Sequence, residues 1–262
     1  MDIIQVITKE LNVEKWQVEA AVKLIDEGCT IPFISRYRKE ATGSLNDEQL
    51  RTLHERLLYL RNLEDKKNQV LGSIEEQGKL TPELKKQILA AQTLVVVEDL
   101  YRPYRPKRRT RAIIAKEKGL EPLANIIMLQ MTQKPLEEEA AAFVSSEKGV
   151  ESVADAINGA KDIIAEHISD EADYRIYIRK TTQQKGSITS VAKNPEESSV
   201  YEMYYDFEEP VKKLAGHRVL ALNRGEKEKI LTVKINAPEE EILKWLERQV
   251  ITKQNPVTTS VL

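Results

Sequence analysis

The sequence predicts a mainly α fold: a multi-helix assembly around one long helix, with a small β-hairpin near the C-terminus. Three observations carry this expectation. Aromatic residues make up only 5% of 262 residues and glycines number only 10, which disfavours an all-β sandwich. No proline or glycine interrupts the chain between Gly43 and Gly72, and apolar residues recur there at helical spacing. Near the C-terminus, Arg218 to Leu222 and Ile230 to Ile235 are β-prone runs around Asn223-Arg224-Gly225-Glu226, the pattern of a hairpin. With 41% hydrophobic and 31% charged residues, the chain can bury cores and is not globally disordered.

Taken in order, Ile3, Ile4, Val6, Ile7 and Leu11 suit a short first helix. Asn12 can cap a second, with Val13, Trp16, Ala20, Leu24 and Ile25 on one face and Gly28 at its end. Pro32 lacks a donor and restricts Ile31, so the stretch to Gly43 reads as a connector with at most one helical turn. Asn46 and Gln49 resemble a capping box. Leu50, Leu53, Leu57, Leu60, Leu63, Val70, Leu71 and Ile74 follow, giving a helix of roughly 30 residues and about 45 Å. Gly78 stops it, and Thr81-Pro82-Glu83 restarts a helix. Leu94 to Val97 is ambiguous by period, and helix is favoured because no partner strand lies nearby. Short helices follow over 111–118, 122–131, 135–144, 150–169 and 171–180, punctuated by Gly119 and Gly149. The style turns polar near Thr181, and a last helix starts at Pro238. The expected division is 1–120, 121–200 and 201–262.

Charge is segregated behind a net of −2. Tyr101 to Lys118 carries eight bases against Glu117 alone, and Pro135 to Asp173 carries eleven acids against Lys148 and Lys161. Tyr174 to Lys193 holds five bases and no acid, whereas Glu196 to Glu209 holds six acids and no base. Such blocks either create local fields or neutralise one another across packed helices.

Several function classes fall away. A lone cysteine, Cys29, makes neither an internal disulfide nor a Cys-rich zinc site. The opening MDIIQVITKEL has no signal or transit character, and no apolar run approaches bilayer length, so a cytoplasmic protein without membrane partners is expected. HExxH, P-loop and GxGxxG motifs are missing, and His54, His167 and His217 belong to no catalytic pattern. The expectation is a non-enzyme without metal or cofactor.

The informative stretch is YRPYRPKRRTRA, Tyr101 to Ala112. Pro103 and Pro106 favour an extended path from which Arg102, Arg105, Lys107, Arg108, Arg109 and Arg111 project, interleaved with Tyr101 and Tyr104. Arginine forks match phosphates and aromatic faces stack on bases, so this is a candidate nucleic-acid surface. The same arginines can instead lock helices together by pairing with carboxylates such as Glu98 and Asp99. A second cluster, Arg36-Tyr37-Arg38-Lys39, has the same two readings, with Arg36, Arg38 and Lys39 as its phosphate-contact candidates.

CTIPFISRYRKEATGSL (Cys29 to Leu45), YRPYRPKRRTRA with GLEPLA after it (Gly119 to Ala124), and HRVLALNRGE (His217 to Glu226) together resemble the N-terminal region of the bacterial Tex family of transcription accessory proteins. The resemblance runs from about Ile3 to Ile235 in order and spacing. It implies a helical region with helix-turn-helix character, followed in full-length members by a ribonuclease-H-like YqgF domain, helix-hairpin-helix elements and a C-terminal OB-fold that carries most nucleic-acid affinity. It therefore implies an N-terminal scaffold of a transcription factor, with RNA or DNA bound mainly by domains outside these residues and RNA polymerase or other transcription proteins as partners. Positions matching the basic motif are Arg102, Arg105, Lys107, Arg108, Arg109 and Arg111. A purely structural or protein-docking role is the alternative. Thr181 to Ala192 would be the place of a turn and recognition helix, with Lys180, Lys185 and Lys193 on it.

Overall fold

The computed structural model describes residues 2–262, and they fall into two compact units that divide between Tyr104 and Arg105. Helices dominate both, as the composition predicts, and the only sheet among the described residues has three short strands.

The first unit holds α1 (Ile3–Leu11), α2 (Lys15–Asp26), α3 (Ile31–Tyr37), α4 (Asp47–Glu76), α5 (Pro82–Ala90) and α6 (Leu94–Tyr101). The long helix is α4, with 30 residues. Asn46 caps it: its side chain accepts from the Gln49 amide while the Gln49 side chain accepts from the Asn46 amide. Leu50, Leu53, Leu57, Leu60, Leu63, Val70 and Ile74 form its buried stripe, against which Ile7, Val18, Ile34, Ile88 and Val97 pack. Charges at its sides tie down the first two helices. Arg56 donates two hydrogen bonds to Glu10 at 2.6 and 2.7 Å, and Arg61 donates two to Asp26 at 2.7 and 2.8 Å. Those guanidinium hydrogen bonds hold both carboxyls below their ordinary range. The stability they contribute is present above the ordinary carboxylate range and is lost as pH falls from there through the lowered values of the folded state; it is small, because both pairs are well solvated.

Two expectations for this unit are corrected. Pro32 does not break the chain but opens α3, because a first-turn proline gives up a donor that would be unpaired anyway. The buried face of α2 is Val18, Ala21 and Val22; Trp16 lies outside it, 51% exposed, beside Gly43.

The second unit holds α7 (Arg111–Glu117), α8 (Glu121–Leu129), α9 (Leu136–Ala141), α10 (Val153–Asp170), α11 (Ala172–Lys185), β1 (Ser187–Ala192), β2 (Asp206–Pro210), α12 (Gly216–Lys227), β3 (Leu231–Asn236) and α13 (Glu239–Val250). Its helical core centres on α10, whose Ala156, Ala160, Ile163 and Ile164 meet Ala112, Ala115, Leu120, Leu123 and Ile127. Small residues on α10 let α7 and α8 approach closely. The tail beyond α13 returns to this core: Val257, Val261 and Leu262 pack against it. Gln130 is left-handed at the end of α8 and nearly fully buried. It donates to the Val250 carbonyl at 2.7 Å and accepts from the Lys253 amide at 3.0 Å, while Asn255 donates to the Thr132 carbonyl at 2.8 Å. The Thr/Ser-rich tail is held by groups more than 100 residues upstream, the Gln130 side chain and the Thr132 carbonyl.

The β element near the C-terminus is present, but the hairpin of 218–222 with 230–235 is not. Arg218 to Leu222 lies within α12, whose buried residues Leu222 and Gly225 are three apart, a helical interval. Gly225 is not a turn residue. A Cβ there would come within 2.6 Å of Leu231 Cδ1 and 3.3 Å of Tyr201, so the glycine admits close packing inside a helix. The chain reverses at Lys229, which is left-handed with φ 63°. β3 then pairs antiparallel with β1, which also pairs with β2, giving the order β2-β1-β3. Thr181 to Ala192 is accordingly the end of α11 and strand β1, not a turn and recognition helix.

Gly186 joins α11 to β1. A Cβ at this position would sit 2.5 Å from the Thr182 carbonyl oxygen and 2.9 Å from that of Asn236, both backbone atoms that cannot swing aside. Gly186→Ala is expected to destabilise the second unit by about 2 kcal/mol through this overpacking, measured as a lower midpoint in urea with an unchanged slope.

Candidate nucleic-acid interface

The basic stretch crosses the boundary between the units, and its residues have different fates. In the first unit, Tyr101 and Tyr104 pack against the core of α4. The Tyr101 hydroxyl shares a 3.0 Å hydrogen bond with Ser73 Oγ, and Gln77 donates to the Tyr104 carbonyl at 3.0 Å. Both rings therefore serve the fold in part, while some of each surface stays exposed. Arg102 is exposed at the C-terminal end of α6. Lys66 pairs with Glu98 at 2.7 Å across α4 and α6.

In the second unit, Lys107 turns inward. Its Nζ contacts Asp170, whose side chain is 8% exposed, and lies 3.3 Å from Glu166. This anchors the segment to the end of α10, so one base of the run holds the fold. The remaining arginines face water. Arg109 reaches Glu117 at 2.9 Å with its side chain 70% exposed, and Arg111 lies 3.5 Å from Asp162 with its side chain 86% exposed. Pairs this solvated are readily exchanged for another anion. Arg105 and Arg108 are exposed, and Arg108 makes no hydrogen bond or ion pair among the described residues. Thr110 caps α7 by accepting from the Ile113 amide, which fixes the point where the exposed run ends. Part of the acidic block thus neutralises part of the basic one, through Asp162, Glu166 and Asp170 on α10.

The second cluster lies in the first unit, on α3 and just after it. Arg36, Arg38 and Lys39 are all exposed. Arg38 stacks its guanidinium 5.2 Å from the Phe33 ring centroid and donates to the Tyr37 carbonyl at 3.3 Å. Arg36 and Lys39 make no hydrogen bond or ion pair through their side chains among the described residues. Phe33 and Tyr37 stand one helical turn apart, with ring centroids at 5.4 Å, and are 38% and 66% exposed. The sequence reading missed Phe33; its spacing of four from Tyr37 was the available signal.

Comparison with known proteins assigns both units. Residues 1–75 match the Tex-like protein N-terminal domain, and residues 130–259 match the Tex central region-like family. The chain belongs to the Tex family. Among relatives of this Tex-family chain, YdcI of Bacillus subtilis is 46% identical over 261 residues, covering 98% of the chain and 36% of the relative. The transcriptional accessory protein Tex of Neisseria gonorrhoeae is 43% identical over 235 residues, 89% of the chain and 31% of the relative. The human S1 RNA-binding domain-containing protein 1 is 29% identical over 257 residues, 93% of the chain and 25% of the relative. The Tex-family chain therefore spans about a third of the length of the bacterial relatives it matches.

Proposed function

We propose that this chain helps a Tex-type protein associate with nucleic acid or a transcription complex, with Arg105, Arg108, Arg109 and Arg111 contacting phosphates. The observation that carries this is the split within the basic run: Lys107 is spent on Glu166 and Asp170, yet Arg109 and Arg111 keep exposed side chains on solvated partners and Arg108 has no partner among the described residues. Guanidinium groups held on a pinned backbone suit phosphate oxygens. Names among the relatives, transcriptional accessory protein and S1 RNA-binding protein, agree with this direction. Arg102, Arg36, Arg38 and Lys39 are further phosphate-contact candidates, and transcription proteins such as RNA polymerase are candidate partners. The chain acts in this reading by binding rather than by catalysis, without a cofactor.

A second reading is favoured by Lys107, Tyr101 and Tyr104, all of which serve the fold: the stretch is structural and the chain docks protein. Fluorescence anisotropy with labelled RNA and DNA at two salt concentrations separates the two. Arg108→Glu is expected to weaken binding and to reduce the slope of log affinity against log salt by about 1, with the melting temperature unchanged. Unchanged binding by a folded Arg108→Glu protein would remove Arg108 from the interface and favour the docking role.

A further inference from the structure

We propose that α3 and the residues after it form a stacking platform for single-stranded nucleic acid, separate from the arginine run. This rests on the nucleic-acid reading above but assigns the first unit its own contact and its own substrate class.

The argument begins with rings that the fold does not use. Ile34 is the fully buried residue of α3, and it satisfies the packing of this short helix on α4. Phe33 and Tyr37 occupy the adjoining face, tilted at 45° to each other, and Tyr37 keeps two-thirds of its surface in water. Exposed single aromatics are common, but a paired set flanked by bases is not explained by packing. The Arg38 guanidinium lies over Phe33, which fixes both groups and leaves a flat cation beside the rings.

Charge then selects the occupant. From Cys29 to Gly43 the bases are Arg36, Arg38 and Lys39 and the acid is Glu40. Arg36 and Lys39 find no carboxylate among the described residues. A protein partner would bury these two charges and would have to supply acids for them. A nucleic-acid strand supplies a phosphate for each base it stacks. Duplex is disfavoured, because its bases are already stacked on one another and offer no free face to Tyr37. The recurring way in which proteins hold single strands is an aromatic platform beside backbone-tracking cations.

The test measures anisotropy of three labelled probes with this chain: a short oligouridylate, an abasic ribose-phosphate strand of the same length, and an RNA duplex of the same length. The expected result is preference for oligouridylate over both other probes. Tyr37→Ala should weaken oligouridylate binding roughly tenfold or more without changing the salt slope, and Tyr37→Phe should restore it. Arg36→Ala with Lys39→Ala should instead lower the salt slope for both single strands. Equal affinity for oligouridylate and the abasic strand, or no response to Tyr37→Ala, overturns the platform while leaving the phosphate reading of Arg105 to Arg111 intact. Salt-independent or undetectable binding of every probe overturns both, and assigns the exposed rings to a protein partner. Circular dichroism of each variant verifies the fold, which a surface ring at Tyr37 does not support.

Discussion

Lys67→Ala is expected to lower the stability of the first unit by about 3 kcal/mol, within the range for losing a buried side chain and its ion pair. For a unit of roughly 100 residues that is a fall of about 12–24 °C in melting temperature. Among the described residues Lys67 is the one lysine that the fold buries completely, with 1% of its side chain exposed in the middle of the stripe on α4. Its Nζ donates to Glu64 Oε1 at 2.9 Å and to the Leu89 carbonyl at 2.9 Å. Leu89 lies in the last turn of α5, where carbonyls lack intrahelical partners and a cation is favoured by the helix dipole. Alanine would leave a cavity and an orphaned carbonyl at Leu89, and Glu64 would lose one of its partners. Lys67→Met keeps the volume and should cost noticeably less than alanine, since Glu64 retains a path to water. Thermal and urea denaturation of the three proteins decides this. Equal midpoints for parent and Lys67→Ala would mean that Nζ is solvated.

Lys107→Ala should cost the second unit about 1–3 kcal/mol, the range for losing a hydrogen bond to a charged group, because the nearly buried Asp170 loses one of its partners. The double variant Lys107→Ala with Asp170→Asn, set against both single variants, measures how much of the loss belongs to this pair. The measurement also divides the basic run by role. At a temperature where the variant is folded, Lys107→Ala should bind nucleic acid as the parent does, in contrast to Arg108→Glu, which should bind less and melt normally. Parallel losses of stability in both variants would mean that the whole run is a brace.

The long helix, its cap, the restart at Thr81-Pro82 and the helices around α10 were legible because each is written locally, in period and capping residues. The helix at Leu94 was also correctly read, from the lack of a nearby partner strand. The sheet was misread for the converse reason. Its strands pair over some 40 residues, so β1 at Ser187 to Ala192 looks like a polar loop until β3 lies beside it. The glycine of Asn223-Arg224-Gly225 was taken for a turn although its missing Cβ serves a contact with Leu231. At the candidate site, the residue types were visible but not their allocation. Nothing in YRPYRPKRR says that Lys107 turns inward and Arg108 outward, because Glu166 and Asp170 lie some 60 positions downstream. Lys67 was likewise unreadable as a core residue, since its acceptor at Leu89 belongs to another helix.

The return of the tail to the helical core sets an order of events during synthesis. Residues 105–170 contain most of that core, yet Val257, Val261 and Leu262 close it and Gln130 waits for the Val250 carbonyl and the Lys253 amide. At translation speeds of roughly 5–20 residues per second, the ribosome needs roughly 5–20 s to advance from Asp170 to Val257. Through that interval Leu136 and Ile157, which lie beside Val257 and Val261, have no lid, and the nascent chain offers an apolar surface to chaperones or to neighbouring copies. Slower translation over the strands and α12 would lengthen that window, whereas the first unit, complete by Tyr104, is already closed when it opens.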